Sequence, residues 1–207
     1  MPQREVDYYL SLNSPWTYLG HERFMAIAAR AGVTVHLHPV DFGVIFPQTG
    51  GLPVGKRSPQ RQAYRLQELV RWRDHLKVPL NLHPAHWPAD DRLATGMVVA
   101  AREAALDAAK LAGAFMRAVW AEERDIGDEE TALAIAREQG LDGEALREQA
   151  SHGLSLRDED SVAAIERGVF GAPTYVIGDQ IFWGQDRLDF VERALFRACA
   201  APAAAPC

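Results

Sequence analysis

Three short stretches carry residues whose types and spacing could do chemistry: Asn13-Ser14-Pro15-Trp16, Gly171-Ala172-Pro173-Thr174 and Trp183-Gly184-Gln185-Asp186-Arg187. Ser14 stands between an alternating run (Val6, Tyr8, Leu10, Leu12) and a helical one. Serine followed by proline is a helix-start signal, serine as N-cap and proline at the first helical position, and that alone accounts for the pair. The same geometry suits an anion. A helix start offers unpaired N–H groups and a partial positive charge, which favour a bound thiolate. A hydroxyl there can also donate to the sulfur. Such a charge-assisted bond is worth about 1.5–3 kcal/mol, enough to lower a bound thiol's pKa by about one to two units.

The other two stretches suit a peptide. A trans proline ahead of a strand is an ordinary edge residue. A cis Pro173 would turn the Ala172 backbone toward a ligand, offering N–H and C=O to an extended chain as an added strand would. Asp186 can cap the last helix; alternatively, Gln185 and Asp186 can bind the charged amino-acid end of a peptide, with Asp186 pairing its ammonium.

The elements that must position these residues emerge from periodicity. Val6–Leu12 alternates as a strand, Trp16–Ala31 has a helical stripe closed by Gly32, and Val33–Val40 is β-branched, together a βαβ unit. Residues 43–57 are Gly/Pro-rich and predict a loop. From Ser58 to about Lys77 the pattern is helical, and prolines 79, 84 and 88 break the next stretch. Alanine-rich helices are expected at about 89–106, 107–123, 128–139 and 142–152, with another at 155–167. Thr174–Ile177 and Gln180–Trp183 flank Gly178-Asp179, a two-residue hairpin signal. Asp186–Cys199 closes as an amphipathic helix. The expected fold is α/β: a four-stranded sheet built from the terminal pieces, 1–42 and 168–199, with 43–167 as a large all-helical insertion and 200–207 as a frayed tail.

Composition removes several function classes. The chain has 207 residues, 48% hydrophobic and 24% charged, enough for a real core. A formal net charge of -6 argues against nucleic acid as the main partner. No apolar run approaches the roughly 18 residues of a membrane span, and no leader is visible at the N-terminus. The two cysteines, Cys199 and Cys207, form no C-x-x-C pair and no metal spacing, which favours a reducing, cytoplasmic setting. His83 and His86 lack a third ligand for zinc. Asp90-Asp91 and Glu122-Glu123 are expected to face solvent, and Trp72 and Trp120 to pack between helices.

NSPWTYLG after the first strand and IERGVFGAPTYVIGDQIFWGQDRL near the end resemble the 2-hydroxychromene-2-carboxylate isomerase family. That family belongs with the kappa-class glutathione transferases in the DsbA-like thioredoxin superfamily, and the resemblance covers about residues 4 to 197. It implies a thioredoxin-like fold and glutathione as cofactor. Ser14 falls at the catalytic serine position. Ala172, ahead of the cis proline Pro173, would pair with the cysteinyl unit. Trp183, Gly184, Gln185 and Asp186 match the loop holding the γ-glutamyl end. Lys56, Arg57 and Trp87 fall where relatives contact the aromatic substrate, although a solvated charge pair describes Lys56 and Arg57 equally well, and Trp87, as a large aromatic, fits a core position better. The implied partners are a small aromatic carboxylate and a second copy of the chain in a homodimer. Two alternatives stay open: a kappa-type transferase or peroxidase that consumes glutathione, and a glutathione-binding protein without turnover. A dithiol oxidoreductase is disfavoured, because Ser14-Pro15-Trp16-Thr17 stands where C-x-x-C is needed.

Overall fold

The computed structural model describes residues 5–200; the expected tail beyond residue 200, with Cys207, lies outside the described residues. Four strands form one mixed sheet in the order β2-β1-β3-β4. β1 (Glu5–Leu10) runs parallel to β2 (Thr34–Pro39), and antiparallel to β3 (Thr174–Ile177). β3 pairs with β4 (Gln180–Trp183) across the Gly178-Asp179 turn.

The central strand is covered on both faces. Tyr8 is fully buried and stacks on Tyr175 of β3 at 5.2 Å and against Phe24 of α1 (Pro15–Ala31) at 4.6 Å. The Tyr8 hydroxyl also meets His21 Nδ1 at 3.2 Å, while His21 Nε2 lies 2.9 Å from the Ala109 carbonyl. A carbonyl can only accept, so Nε2 carries the proton and Nδ1 accepts from the tyrosine. Burial lowers the His21 pKa, in keeping with this neutral tautomer. On the opposite face Tyr9 joins Val40, Ile45, Ala164, Val169 and Val176.

Six helices lie in the chain between β2 and β3: α2 (Phe42–Thr49), α3 (Pro59–Leu76), α4 (Arg92–Glu103), α5 (Ala108–Trp120), α6 (Glu129–Glu138) and α7 (Gly143–Glu166), and α8 (Leu188–Ala200) ends the described chain. The helical block and the sheet share one buried cluster, which runs from Val6 and Tyr8 through Phe115 and Trp120 to Leu146. The architecture is thus the expected four-stranded thioredoxin-like sheet with a helical insertion.

Two expectations about the insertion are corrected. Residues 43–57 are not all loop, since α2 fills half of the stretch despite Pro47 inside it. Burial outweighs the proline: Ile45 is completely buried, Phe42 and Phe46 pack at 5.1 Å, and Asp41 caps the start by accepting from the Gly43 N–H at 2.7 Å. Such tertiary burial routinely overrides intrinsic propensity. The helices expected at 142–152 and 155–167 are one continuous helix of 24 residues, α7. Gly153 is no breaker; it is where α7 crosses α4. A Cβ on Gly153 would sit 2.2 Å from the Gly96 carbonyl oxygen, and one on Gly96 would sit 2.4 Å from that of Ala150. The bare backbones touch, so glycine is needed on both sides.

Candidate functional site

Ser14 caps α1 with its hydroxyl, accepting from the Thr17 N–H at 3.2 Å. Its own proton points at the Ala172 carbonyl, 3.5 Å away, a distance at which little of a hydrogen bond's strength is realised. Pro15 has no N–H and Thr17 is taken, so the Trp16 amide is the first-turn donor left without a backbone partner among the described residues. One half-used hydroxyl and one open amide therefore face the space in front of the helix.

The Ala172-Pro173 bond is cis. Ala172 N–H makes no backbone hydrogen bond among the described residues, and the Pro173 carbonyl accepts from the Gly184 N–H at 2.9 Å. Gly184 has φ +104, a value that side chains rarely adopt, and there the chain turns from β4 into the Gln185–Arg187 turn. Gln185 is 2% exposed, its side-chain amide oxygen Oε1 accepting from Arg23 at 3.0 Å. Asp186 is exposed and lies 3.3 Å from Arg187.

Two adjoining cavities open here. The larger, about 450 Å³, is bordered by Ser14 and Trp16, the aromatic rings of Phe42, Phe46, Trp87 and Phe170, and Arg57, Arg61 and Arg65. The smaller, about 350 Å³, is bordered by Tyr64, Glu68 and Trp72 on one side and by Gly184 to Arg187 on the other. Trp16, Ala172 and Trp183 border both. Volumes of this size suit small organic ligands.

Of the residues singled out in the sequence, Ser14, Ala172, Trp183, Arg57 and Trp87 meet around the larger cavity, and Gly184, Gln185 and Asp186 around the smaller. Pro173 is buried directly behind Ala172. Lys56 is exposed and borders neither cavity. Trp87 is both core and lining: it packs on the buried Trp120 at 5.7 Å, and its indole N–H donates to the Asn13 carbonyl at 3.0 Å. Asn13 itself exchanges two side-chain hydrogen bonds with the Ala89 backbone, at 3.0 and 2.9 Å. One bond thus ties the serine turn to the tryptophan itself and two more tie it to Ala89, two residues on.

Sequence reasoning missed Asn13, Arg61 and Arg65. Arg65 is 8% exposed, its guanidinium lies 5.0 Å over the Trp87 ring, and its Nη2 has no hydrogen-bond partner. Burial, then the nearby charge of Arg57, lowers its pKa to about 10. The available signal was the spacing 57-61-65, with Arg61 and Arg65 four apart on one face of α3 and Arg57 just ahead of its Ser58 cap. Asp91 is also corrected: it is half-buried rather than solvated, because the Trp87–Ala89 segment folds back on Asn13. Trp72 is half-buried at the smaller cavity, while Glu122 and Glu123 are exposed as expected.

Comparison with known proteins accords with this geometry. The model of the DSBA-like thioredoxin domain matches residues 5–196. A 2-hydroxychromene-2-carboxylate isomerase from Pseudomonas putida is 30% identical over 94% of this chain and 95% of its own. A solved structure of a 2-hydroxychromene-2-carboxylate isomerase superposes with a TM-score of 0.80 at 30% identity, covering 94% of this chain and 96% of that one. Glutathione S-transferase kappa 1 of Homo sapiens is 25% identical over 93% of this chain and 91% of its own. With a serine-capped first helix where dithiol relatives need cysteines, and with a cis proline facing it, the chain belongs to the 2-hydroxychromene-2-carboxylate isomerase family of DsbA-like thioredoxin-fold proteins.

Proposed function

We propose that this protein is a glutathione-dependent isomerase that interconverts 2-hydroxychromene-2-carboxylate and trans-o-hydroxybenzylidenepyruvate, or a closely related aromatic acid. The observation that carries this reading is the Ser14 hydroxyl, held at a helix start by Thr17, with its proton weakly engaged and facing a cavity of aromatic rings and arginines.

The residues present fit the tripeptide. The smaller cavity offers the Asp186 carboxylate for an ammonium and the Arg187 guanidinium for a carboxylate. Ala172 offers backbone N–H and C=O at the junction of the two cavities. Ser14 and the Trp16 amide stand where a sulfur would need donors. Glutathione, when bound, supplies a thiolate that adds reversibly to the conjugated side chain of the substrate, leaving a single bond that can rotate before the thiolate departs.

The chain's own part is positioning and electrostatics. Ser14 swings its proton from the Ala172 carbonyl to the sulfur while still accepting from Thr17, so no hydrogen bond of the helix cap is lost. Preorganised donation of this kind stabilises charge where it is needed without reorganisation. Trp87 and the phenylalanines sandwich the ring, and Arg65, buried beside Trp87, holds the carboxylate. A cytoplasmic setting and a homodimer belong to the same proposal, carried by the cysteine usage and the family resemblance.

The test is direct. Wild type should show ultraviolet thiolate absorbance on adding glutathione and should convert the chromene without consuming it. A second reading, a kappa-type transferase, is favoured by the relationship to the human kappa enzyme. Net loss of glutathione into a conjugate would select it over the isomerase.

A further inference from the structure

Among the described residues between 42 and 167, every arginine except three forms an ion pair. The three are Arg57, Arg61 and Arg65, and all border the larger cavity. No Asp or Glu borders that cavity with them. In a chain with 28 acids to 22 bases, leaving three neighbouring guanidiniums without an acid is a costly arrangement. Like charges on one helix face destabilise it, and the buried one has lost its water as well.

The three differ in depth. Arg65 is the buried member, with its unpartnered Nη2 beside Trp87. Arg57 is half-buried, spending its Nε on the Leu52 carbonyl at 2.8 Å, and Arg61 is exposed. Burial, and then Arg61, pull the Arg57 pKa down, so the group as a whole lacks counter-charge. One carboxylate saturates one guanidinium by a bidentate pair. That satisfies Arg65 and leaves two cations at the open end of an aromatic slot.

We propose that the larger cavity takes a planar aromatic acid bearing two anionic groups, one seated on the buried Arg65 beside Trp87 and the other on Arg57 and Arg61 at the exposed end. The proposal deepens the isomerase reading, since it rests on that reading for placing the aromatic substrate in this cavity. Within that reading it ranks the acids the cavity accepts: one with a second anionic group binds tighter than a monocarboxylate of the same size.

Calorimetric titration tests it, with saturating glutathione present. The probes are 2-naphthoate and a set of naphthalene dicarboxylates that vary the separation of the two charges. At least one dicarboxylate should bind about tenfold tighter than 2-naphthoate. Arg61→Gln, at an exposed position that leaves the fold intact, should remove most of that advantage and leave 2-naphthoate nearly unchanged. Arg65→Gln should weaken both. The assignment is overturned if no dicarboxylate outbinds 2-naphthoate, if Arg61→Gln weakens both probes alike, or if Arg61→Gln weakens glutathione binding instead. Loss of the preference with chromene isomerisation intact overturns the charge assignment alone. A preserved preference in a protein that isomerises nothing overturns the proposed function alone.

Discussion

The Ser14 hydroxyl and the Ala172 carbonyl, 158 residues apart in the chain, meet at 3.5 Å. This contact joins the first helix to the edge preceding β3, and it sets the serine proton beside the backbone that would carry a peptide. Ser14 has two separable duties, as helix cap and as donor to sulfur, and a substitution should lose both.

Ser14→Ala is expected to cut isomerisation by about a hundredfold, the usual cost of one preorganised donor, and to weaken the thiolate absorbance. Loss of the cap should also lower stability by about 1 kcal/mol. Ser14→Gly separates the duties, because glycine costs only a few tenths of a kcal/mol at an N-cap. Its stability should nearly match wild type while its activity stays as low as that of the alanine variant. A glycine variant with restored turnover would remove the hydroxyl from the mechanism.

Trp87 joins the turn bearing Ser14 to the arginine face of α3. Trp87→Phe keeps a ring but loses the bond to the Asn13 carbonyl, worth about 1 kcal/mol, and weakens the stacking with Arg65. The KM for the aromatic substrate should rise severalfold, with a smaller change in kcat and no change in glutathione affinity. Steady-state kinetics with each ligand varied in turn would check this. Equal loss for both ligands would mean the tryptophan supports the whole site rather than the substrate side of it.

The sequence carries the site's chemistry better than its depth. β1, the hairpin strands and the serine-proline cap are local signals, and they stand where periodicity and turn residues put them. α2 was hidden because its stability comes from Ile45 meeting Val176 and Ala164, residues more than a hundred positions away. Arg65 was hidden for a related reason. On α3 alone it is one polar residue among many, and only the packing of Trp87 over it makes it buried and unpaired. The gap expected between 152 and 155 closes in the structure, where Gly153 lets α7 cross α4 with backbones in contact, a relationship visible only in three dimensions.

That crossing yields a stability prediction. Gly153→Ala in a free helix would gain about 1 kcal/mol of propensity. Here the new methyl would press on the Gly96 backbone, and overpacking costs about 1–3 kcal/mol, more where the obstacle is backbone. The net effect should be destabilisation by about 1–2 kcal/mol, read as a lower denaturant midpoint with unchanged slope. An alanine variant as stable as wild type would mean the two helices can slide apart freely.

Behind the sheet, His38 bridges Asp160 at 3.1 Å and Asp7 at 3.4 Å, and Arg102 also reaches Asp160 at 2.5 Å. Burial would lower the His38 pKa, but its two carboxylate partners outweigh that and raise it. Hydrogen bonding to His38 lowers Asp7, and the bonds from His38 and Arg102 outweigh burial to lower Asp160. A raised histidine stabilises fully below its unfolded value of about 6.5 and loses this as pH rises through the folded value. Lowered carboxylates stabilise above about 3.8 and lose this as pH falls. His38→Gln should therefore cost most between about pH 4 and 6.5, and less at about pH 8, as measured by urea unfolding of both proteins across that range.

Asp91 has the opposite sign. Burial, reinforced by the charges of Asp41 and Asp90, raises its pKa to about 6 against the pull of Asn13 and Arg157. The folded protein thus holds the proton more tightly than the unfolded chain. Asp91 costs stability as pH climbs from about 4 to about 6, and the cost stays constant above that. Two pKa units correspond to about 3 kcal/mol, and the residue's partial exposure reduces this to about 1–2 kcal/mol. Asp91→Asn keeps the shape and a polar group beside Asn13 without the charge. It should be more stable than wild type at about pH 8 by that amount, with the gap closing by about pH 4. Paired denaturation curves at the two pH values decide it: a variant less stable than wild type at the higher pH would mean that the ionised carboxylate is held favourably by Arg157.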